Sequence, residues 1–331
     1  MRLSTHKGNV MQATKFLPLK LNISRGLKQQ LSTLSGFAIL FIAFAVLARP
    51  YFFTVGNLLT VATQTAVIAI IAIGQTYVMI TSGIDLSIGS NIALSGMIAA
   101  LAMMSGVPVF LAGLLGLLSG ALVGVINGIF TTYGKIPPFI ATLGTMTAVR
   151  GVCLTLTQGI PIGGLPKSFT MIGGDSIGPI PIPVILMLAA VVLFGFILAK
   201  TTFGRHVYAL GSNFDAARLS GVNTNRTLIL VYVFSGMLAA FAGLIMAARI
   251  VSAQPAAGDG YELDAVASSV IGGTSTLGGE GSIAGTFIGA FIIGILRNGL
   301  NLIGVSPFIQ KIVIGIVIAG SVFLDKIKRK D

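Results

Sequence analysis

Residues able to do chemistry are sparse in this chain and fall in three short stretches. The first is Thr81-Ser82-Gly83-Ile84-Asp85-Leu86-Ser87-Ile88-Gly89-Ser90, followed by Asn91, where one carboxylate sits among hydroxyls. Such a carboxylate can accept the free N–H groups that open a helix, or meet a partner or solute at a gate. The second is Val270-Ile271-Gly272-Gly273-Thr274-Ser275, then Leu277-Gly278-Gly279-Glu280-Gly281, where glycines interrupt a helix and leave backbone groups and hydroxyls free to hydrogen-bond. The third is Asn213-Phe214-Asp215-Ala216-Ala217-Arg218-Leu219-Ser220-Gly221, which reads as one short helix. Asn213 or Asp215 starts it, two alanines keep a face slim, and Gly221 stops it.

What is missing narrows the chemistry further. The single cysteine, Cys153, lies in an apolar stretch, and neither histidine, His6 or His206, falls within an apolar run. No nucleophile–base pair, metal-ligand set or disulfide framework can be assembled from these positions. There is no Gly-x-x-x-x-Gly-Lys-Ser/Thr sequence, so the chain does not itself carry that kind of ATP site. Hydrogen bonding to a neutral solute and contact with a partner remain.

The elements that position these stretches are membrane helices. Of 331 residues, 54% are hydrophobic and 9% charged, and mean hydropathy is +0.96. A soluble domain uses about 25% charged residues to cover its surface. Apolar runs near 20 residues recur at about 35–50, 58–80, 86–105, 108–132, 137–158, 180–199, 227–250, 282–301 and 307–324. Basic residues crowd both ends: Arg2, Lys7, Lys15, Lys20, Arg25 and Lys28, then Lys326, Lys328, Arg329 and Lys330. The positive-inside rule puts both ends in the cytoplasm, and so demands an even number of crossings. Nine clear runs therefore require a tenth, and the short stretch near 263–277 supplies it as a broken helix. The loop 200–226, with Lys200, Arg205, Arg218 and Arg226, then lies inside; 159–179 and 251–263, with Lys167, Asp175, Asp259 and Glu262, lie outside. The formal charge of +12 is thus a topology signal and an attraction to anionic lipid, not a nucleic-acid patch. The first apolar run begins too far from the start to act as an ordinary cleaved signal.

The fold expected is an all-α polytopic membrane protein with about ten transmembrane helices, one short or broken. Its parts are a cytoplasmic tail at 1–34, one membrane domain at 35–324 with a cytoplasmic loop at 200–226, and a cytoplasmic tail at 325–331. Gly116, Gly120, Gly124 and Gly128 line one helix face, and Gly281, Gly285 and Gly289 another, so that helices touch along their backbones. Gln64, Thr65, Gln75, Asn91, Asn127, Gln158, Asn298 and Asn301 serve helix–helix hydrogen bonds before anything else. Broken helices are where membrane carriers place a solute path. That makes Asp85, Ser87, Asn91, Gly272, Gly273, Thr274 and Ser275 the path candidates.

The pattern from Asp215 through Ala216, Ala217 and Arg218 to Gly221 resembles the coupling motif of importer permeases of the ATP-binding-cassette class, with Asp215 where glutamate is commoner. More specifically, the chain resembles the sugar permeases of the ribose, xylose and galactoside group. The stretches that carry this are Ser82 to Ser87, Phe139-Ile140-Ala141-Thr142-Leu143, Gly204-Arg205 through Gly221-Val222-Asn223, Ser252-Ala253-Gln254-Pro255, Tyr261-Glu262-Leu263-Asp264-Ala265 and Gly272 to Ser275. They run from about residue 50 to the end. The resemblance implies a permease subunit for a small sugar, ribose or a related monosaccharide, in the bacterial inner membrane. It implies a second permease subunit, a homodimer being expected, and a periplasmic sugar-binding protein. It also implies a cytoplasmic ATPase docked on Asn213 to Gly221, with ATP and magnesium held by that partner and no cofactor or metal here. An ion-coupled secondary sugar carrier is the alternative, although the helix middles nearly lack the carboxylates and histidines on which proton coupling relies.

Overall fold

The computed structural model describes residues 25–328, and almost all of them are helical. In chain order the helices are α1 (Arg25–Leu47), α2 (Val55–Ile80), α3 (Ile88–Met104), α4 (Val109–Thr132), α5 (Pro138–Thr157) and α6 (Lys167–Gly174). A two-stranded antiparallel hairpin, β1 (Ser176–Ile177) and β2 (Ile180–Pro181), leads into α7 (Ile182–Lys200). Then come α8 (Thr202–Ser212), α9 (Phe214–Leu219), α10 (Thr224–Ile250), α11 (Tyr261–Ile271), α12 (Ile283–Leu302) and α13 (Pro307–Lys328). In lipid every backbone N–H and C=O must be satisfied within the protein, and helices do this segment by segment.

Among the described residues, six helices, α2, α4, α5, α7, α10 and α12, are long and apolar enough to cross a bilayer. Thr33–Leu47, Ile88–Met104 and Pro307–Gly320 are shorter apolar helical stretches. At 11 residues, α11 spans about 16 Å and does not cross on its own. The chain is an all-α, multi-pass membrane protein. The basic tails expected at both ends fall largely outside the described residues. Helix α1 starts at Arg25, ten residues ahead of the apolar run, because leucine, lysine and glutamine extend a helix without needing lipid.

Helix α2 is the central post. Every residue from Thr65 to Ile80 is buried, against α10, α12, α11 and α7. A helix that is apolar all round must be surrounded on all sides. The most extensive helix contact in the bundle is between α4 and α10, and it rests on the glycine stripe. A Cβ on Gly124 would strike the Tyr232 carbonyl and lie 2.8 Å from the Val233 Cα. One on Gly128 would lie 2.8 Å from the Ile229 Cα. Gly285 and Gly289 do the same for α12 against α11, meeting the backbone of Gly272 and Ser268. The small-residue motifs therefore pack helices within this chain.

Polar groups stitch the apolar helices. The Thr76 hydroxyl of α2 lies 2.6 Å from that of Thr286 on α12 and 3.1 Å from that of Ser269 on α11. Asn298 donates to Asn57 at 3.0 Å, tying α12 to α2. With no water to compete, each such pair helps fix how neighbouring helices sit.

Candidate functional site

Two helix breaks and one capped corner make up the site. After α2 the chain turns at Thr81 and the exposed Ser82. It runs as irregular backbone through Thr81 to Ser87 back into the bundle, and α3 starts from a buried position. Asp85 is fully buried there. One carboxylate oxygen accepts the Ser87 N–H at 2.9 Å and the Ser87 hydroxyl at 2.6 Å; the other accepts the Ser235 hydroxyl of α10 at 2.7 Å. The Asp85 N–H donates to the Gln75 side chain, and Asn127 of α4 donates to Ser87 at 2.8 Å. Asp85 does not cap α3 as expected: Ser87 holds the N-cap position without a side-chain cap bond, and Asp85 instead receives Ser87 ahead of the helix and ties the break to α10. Asn91, one turn into α3, donates to the Gly236 carbonyl at 3.1 Å.

The second break follows α11. Gly272 packs flat on Gly285, and Gly273 takes a φ of +93°, open to glycine at little cost. The Thr274 N–H donates to the Ser269 carbonyl at 2.8 Å, and the Ser275 N–H to the Glu280 carbonyl at 2.9 Å. Thr274 and Ser275 are fully buried. The path candidates therefore form two clusters. Asp85, Ser87 and Asn91 sit between α2, α4 and α10, while Gly272 to Ser275 sit between α11 and α12. All are enclosed by protein in this conformation.

The corner lies at the same end of the bundle as the end of α2. Asn213 caps α9 by accepting the Ala216 N–H at 2.9 Å. Gly221, at φ +85°, closes it: its N–H returns to Arg218 at 3.1 Å and that of Val222 to Ala217 at 3.1 Å. This is the start and stop expected from the residue types, with Asp215 placed in the first turn rather than at the cap. Ala217 faces inward, while Asp215, Ala216 and Arg218 are exposed. Leu219 is 88% exposed, so α9 presents an apolar knob on the outside of the bundle.

At the opposite end, the segment between α10 and α11 is fastened from several sides. Arg150 of α5 donates to the carbonyls of Pro255 and Ala257, at 2.6 and 2.9 Å. Ala253 bridges Ile162. Asp264 of α11 is fully buried 2.6 Å from the Arg297 guanidinium of α12, as an ion pair and not an aligned hydrogen bond. Removing one partner of a buried pair strands the other charge. Arg297→Met is thus expected to lower the melting temperature in detergent more than the double change Asp264→Leu with Arg297→Met. Equal or reversed losses would show that the pair does not hold α11 to α12.

Sequence reasoning missed two features. Between exposed Ile140, Leu143, Val152 and Leu154, the outer side of α5 carries a line of small and hydroxylated residues, Gly144, Thr147, Gly151 and Thr155, which α4, with Phe110, Leu114, Leu118 and Leu122 exposed, lacks. Their i, i+3 and i+4 spacing was the available signal. The other is the seat of α8 against both breaks, made by Tyr208, Gly211 and Ser82, which no local pattern announces.

Residues 57–322 match the family model described as Branched-chain amino acid transport system / permease component. The chain is 48% identical over 305 residues to the ribose import permease protein of Bacillus subtilis, covering 92% of this chain and 94% of that one. It is 45% identical over 292 residues to the ribose import permease protein of Escherichia coli K12, covering 87% and 91%. To the D-allose transport system permease protein of Escherichia coli K12 it is 38% identical over 294 residues, covering 88% and 90%. No solved structure matches the chain.

Proposed function

The chain belongs to the Branched-chain amino acid transport system / permease component family, and from that premise we propose that it is the membrane subunit of an ATP-driven, binding-protein-dependent importer of a small sugar, ribose first. The observation that carries this is the 45–48% identity to ribose import permeases over about nine-tenths of both chains. Identity falls to 38% for the D-allose permease and 37% for the L-arabinose permease, which favours ribose within the sugars and sugars over the amino acids of the family description.

The reading extends to topology and partners. Nine apolar helices plus α11 and its break make ten crossings, with α11 entering from one side and residues 272–282 completing the passage to the side of α9. Lys135, Lys200, Arg205, Arg218 and Arg226 lie at that end, which supports a cytoplasmic position for it under the positive-inside rule. A cytoplasmic ATPase seats α9 in a groove, using Leu219 and Phe214 as apolar contacts and supplying ATP and magnesium. Helix-in-groove docking suits so short and well-capped a helix. A sugar-binding protein meets the end fastened by Arg150, and a second copy of this chain completes the path. The path runs along the Gly144, Thr147, Gly151 and Thr155 face of α5, whose hydroxyls match a sugar better than lipid. Asp85, Ser87, Asn91 and Gly272 to Ser275 hold the two breaks beside it, and meet solute only when the breaks move.

Uptake of labelled ribose by cells that carry this chain as their sole ribose permease, with its ATPase and binding protein, tests the reading. Uptake should be competed by unlabelled ribose well ahead of D-allose or L-arabinose. Equal competition by all three would remove the ribose assignment.

A further inference from the structure

Helix α8 ends where three segments meet. A Cβ on Gly211 would strike the Ile80 carbonyl at the end of α2 and lie 2.5 Å from the Gly279 nitrogen in the break before α12. Those two groups already bond each other, Gly279 N–H donating to the Ile80 carbonyl at 2.9 Å. Two residues past α2, the Ser82 hydroxyl donates to the Leu277 carbonyl at 2.9 Å. One turn back along α8, the Tyr208 hydroxyl donates to the Gly281 carbonyl at 2.8 Å. A Cβ on Gly278 would strike the Ser82 hydroxyl and lie 3.1 Å from the Gly211 and Ile80 carbonyls. One residue beyond α8, Asn213 sends its N–H to the Ala209 carbonyl at 3.0 Å and caps α9 with its side chain. The corner between α8 and α9 is thus stiff, and its inner side rests on both helix breaks.

We propose that Tyr208, Gly211 and Ser82 form a relay that delivers a displacement of α9 to the α2–α3 break and the α11–α12 break together. The inference rests on the importer reading given above and assigns these three residues positioning roles that the short α9 helix alone does not provide. The physical reason is packing. Backbone pressed on backbone at Gly211 has no side chain to yield, so a shift of α8 must move Ile80 and Gly279 rather than compress a gap. The Tyr208 and Ser82 hydroxyls couple the same motion in the pulling direction. Asp85, tied to Ser87 and Ser235, then connects the first break to α10.

The test uses the full transporter, with this chain, its ATPase and its binding protein in proteoliposomes, and reads sugar uptake and ATP hydrolysis side by side. Wild-type protein must first show uptake that needs ATP; failure there removes the importer reading and says nothing against the relay. In the double variant Tyr208→Phe with Ser82→Ala, both bonds are lost with almost no change in volume. Sugar moved per ATP hydrolysed should fall about tenfold while hydrolysis stays near wild type, since two hydrogen bonds of ordinary strength suffice for a change of that order. Gly211→Ala should move the ratio in the same direction and further. An unchanged ratio in the double variant overturns the relay, whether both rates persist or both fall together. Should Gly211→Ala fail to assemble, the double variant decides alone.

Discussion

Gly124→Ile is expected to prevent the chain from accumulating as a folded protein in the membrane. The added side chain starts from a Cβ that would overlap the Tyr232 carbonyl and sit 2.8 Å from the Val233 Cα. These are backbone atoms of α10, and α10 in turn presses Gly236 on the Gly120 carbonyl and the Gly124 nitrogen. Relief requires the two helices to part along their whole contact. Overpacking a core usually costs about 1–3 kcal/mol. Here no flexible side chain can give way, so the loss belongs above that range, against a typical net stability of about 5–15 kcal/mol. Gly113→Ala on the same helix is the control, because nothing lies within 4 Å of its Cβ position. It should leave the yield unchanged or raise stability slightly, by about 0.5–1 kcal/mol, as alanine replaces glycine in a helix. Detergent-solubilised yield and a melting curve for the two variants check this. Equal behaviour of Gly124→Ile and wild type would show that α4 and α10 do not approach as described.

The second large effect concerns α9. Ala217→Trp combined with Gly221→Val is expected to abolish ATP-driven uptake, by more than about a hundredfold, while the membrane helices fold normally. Ala217 is the buried face of α9, and tryptophan there lifts the helix off its seat. Gly221 has open space around it, so valine costs only the strain of a left-handed backbone, about 1–2 kcal/mol. Neither change lies against α2 or α4, and α9 meets only the start of α10 besides α8. Normal membrane yield with loss of the co-purifying ATPase is the expected result. Normal sugar uptake in the double variant would remove α9 from the coupling.

Local features of the fold were legible because their causes are local. The asparagine cap and left-handed glycine of α9 follow from residues eight apart, and the glycine stripe of α4 follows from a four-residue repeat. The broken helix at Leu263 to Leu277 became visible through charge asymmetry at the ends and the parity it imposes. The structure begins α11 at Tyr261 and runs its break to Ser282. What stayed hidden depends on distant partners. Asp85 finds Ser235 across 150 residues, and Asp264 finds Arg297 on the next helix. Arg150 holds two carbonyls of a loop more than 100 residues away. The first half of the 200–226 loop proved to be α8, whose amphipathic residues read as loop because the segment is not apolar enough for lipid. No local pattern says which backbone a glycine such as Gly211 will meet.

The central claim is that this chain is the membrane half of a sugar importer whose energy comes from a separate ATPase. The most direct measurement is ribose accumulation in proteoliposomes containing the chain, its ATPase and its binding protein, with and without enclosed ATP and with a protonophore added. Accumulation that requires ATP and the binding protein, and survives the protonophore, is the predicted result. Accumulation that proceeds without ATP and collapses with the protonophore would contradict the claim and mark the chain as an ion-coupled carrier.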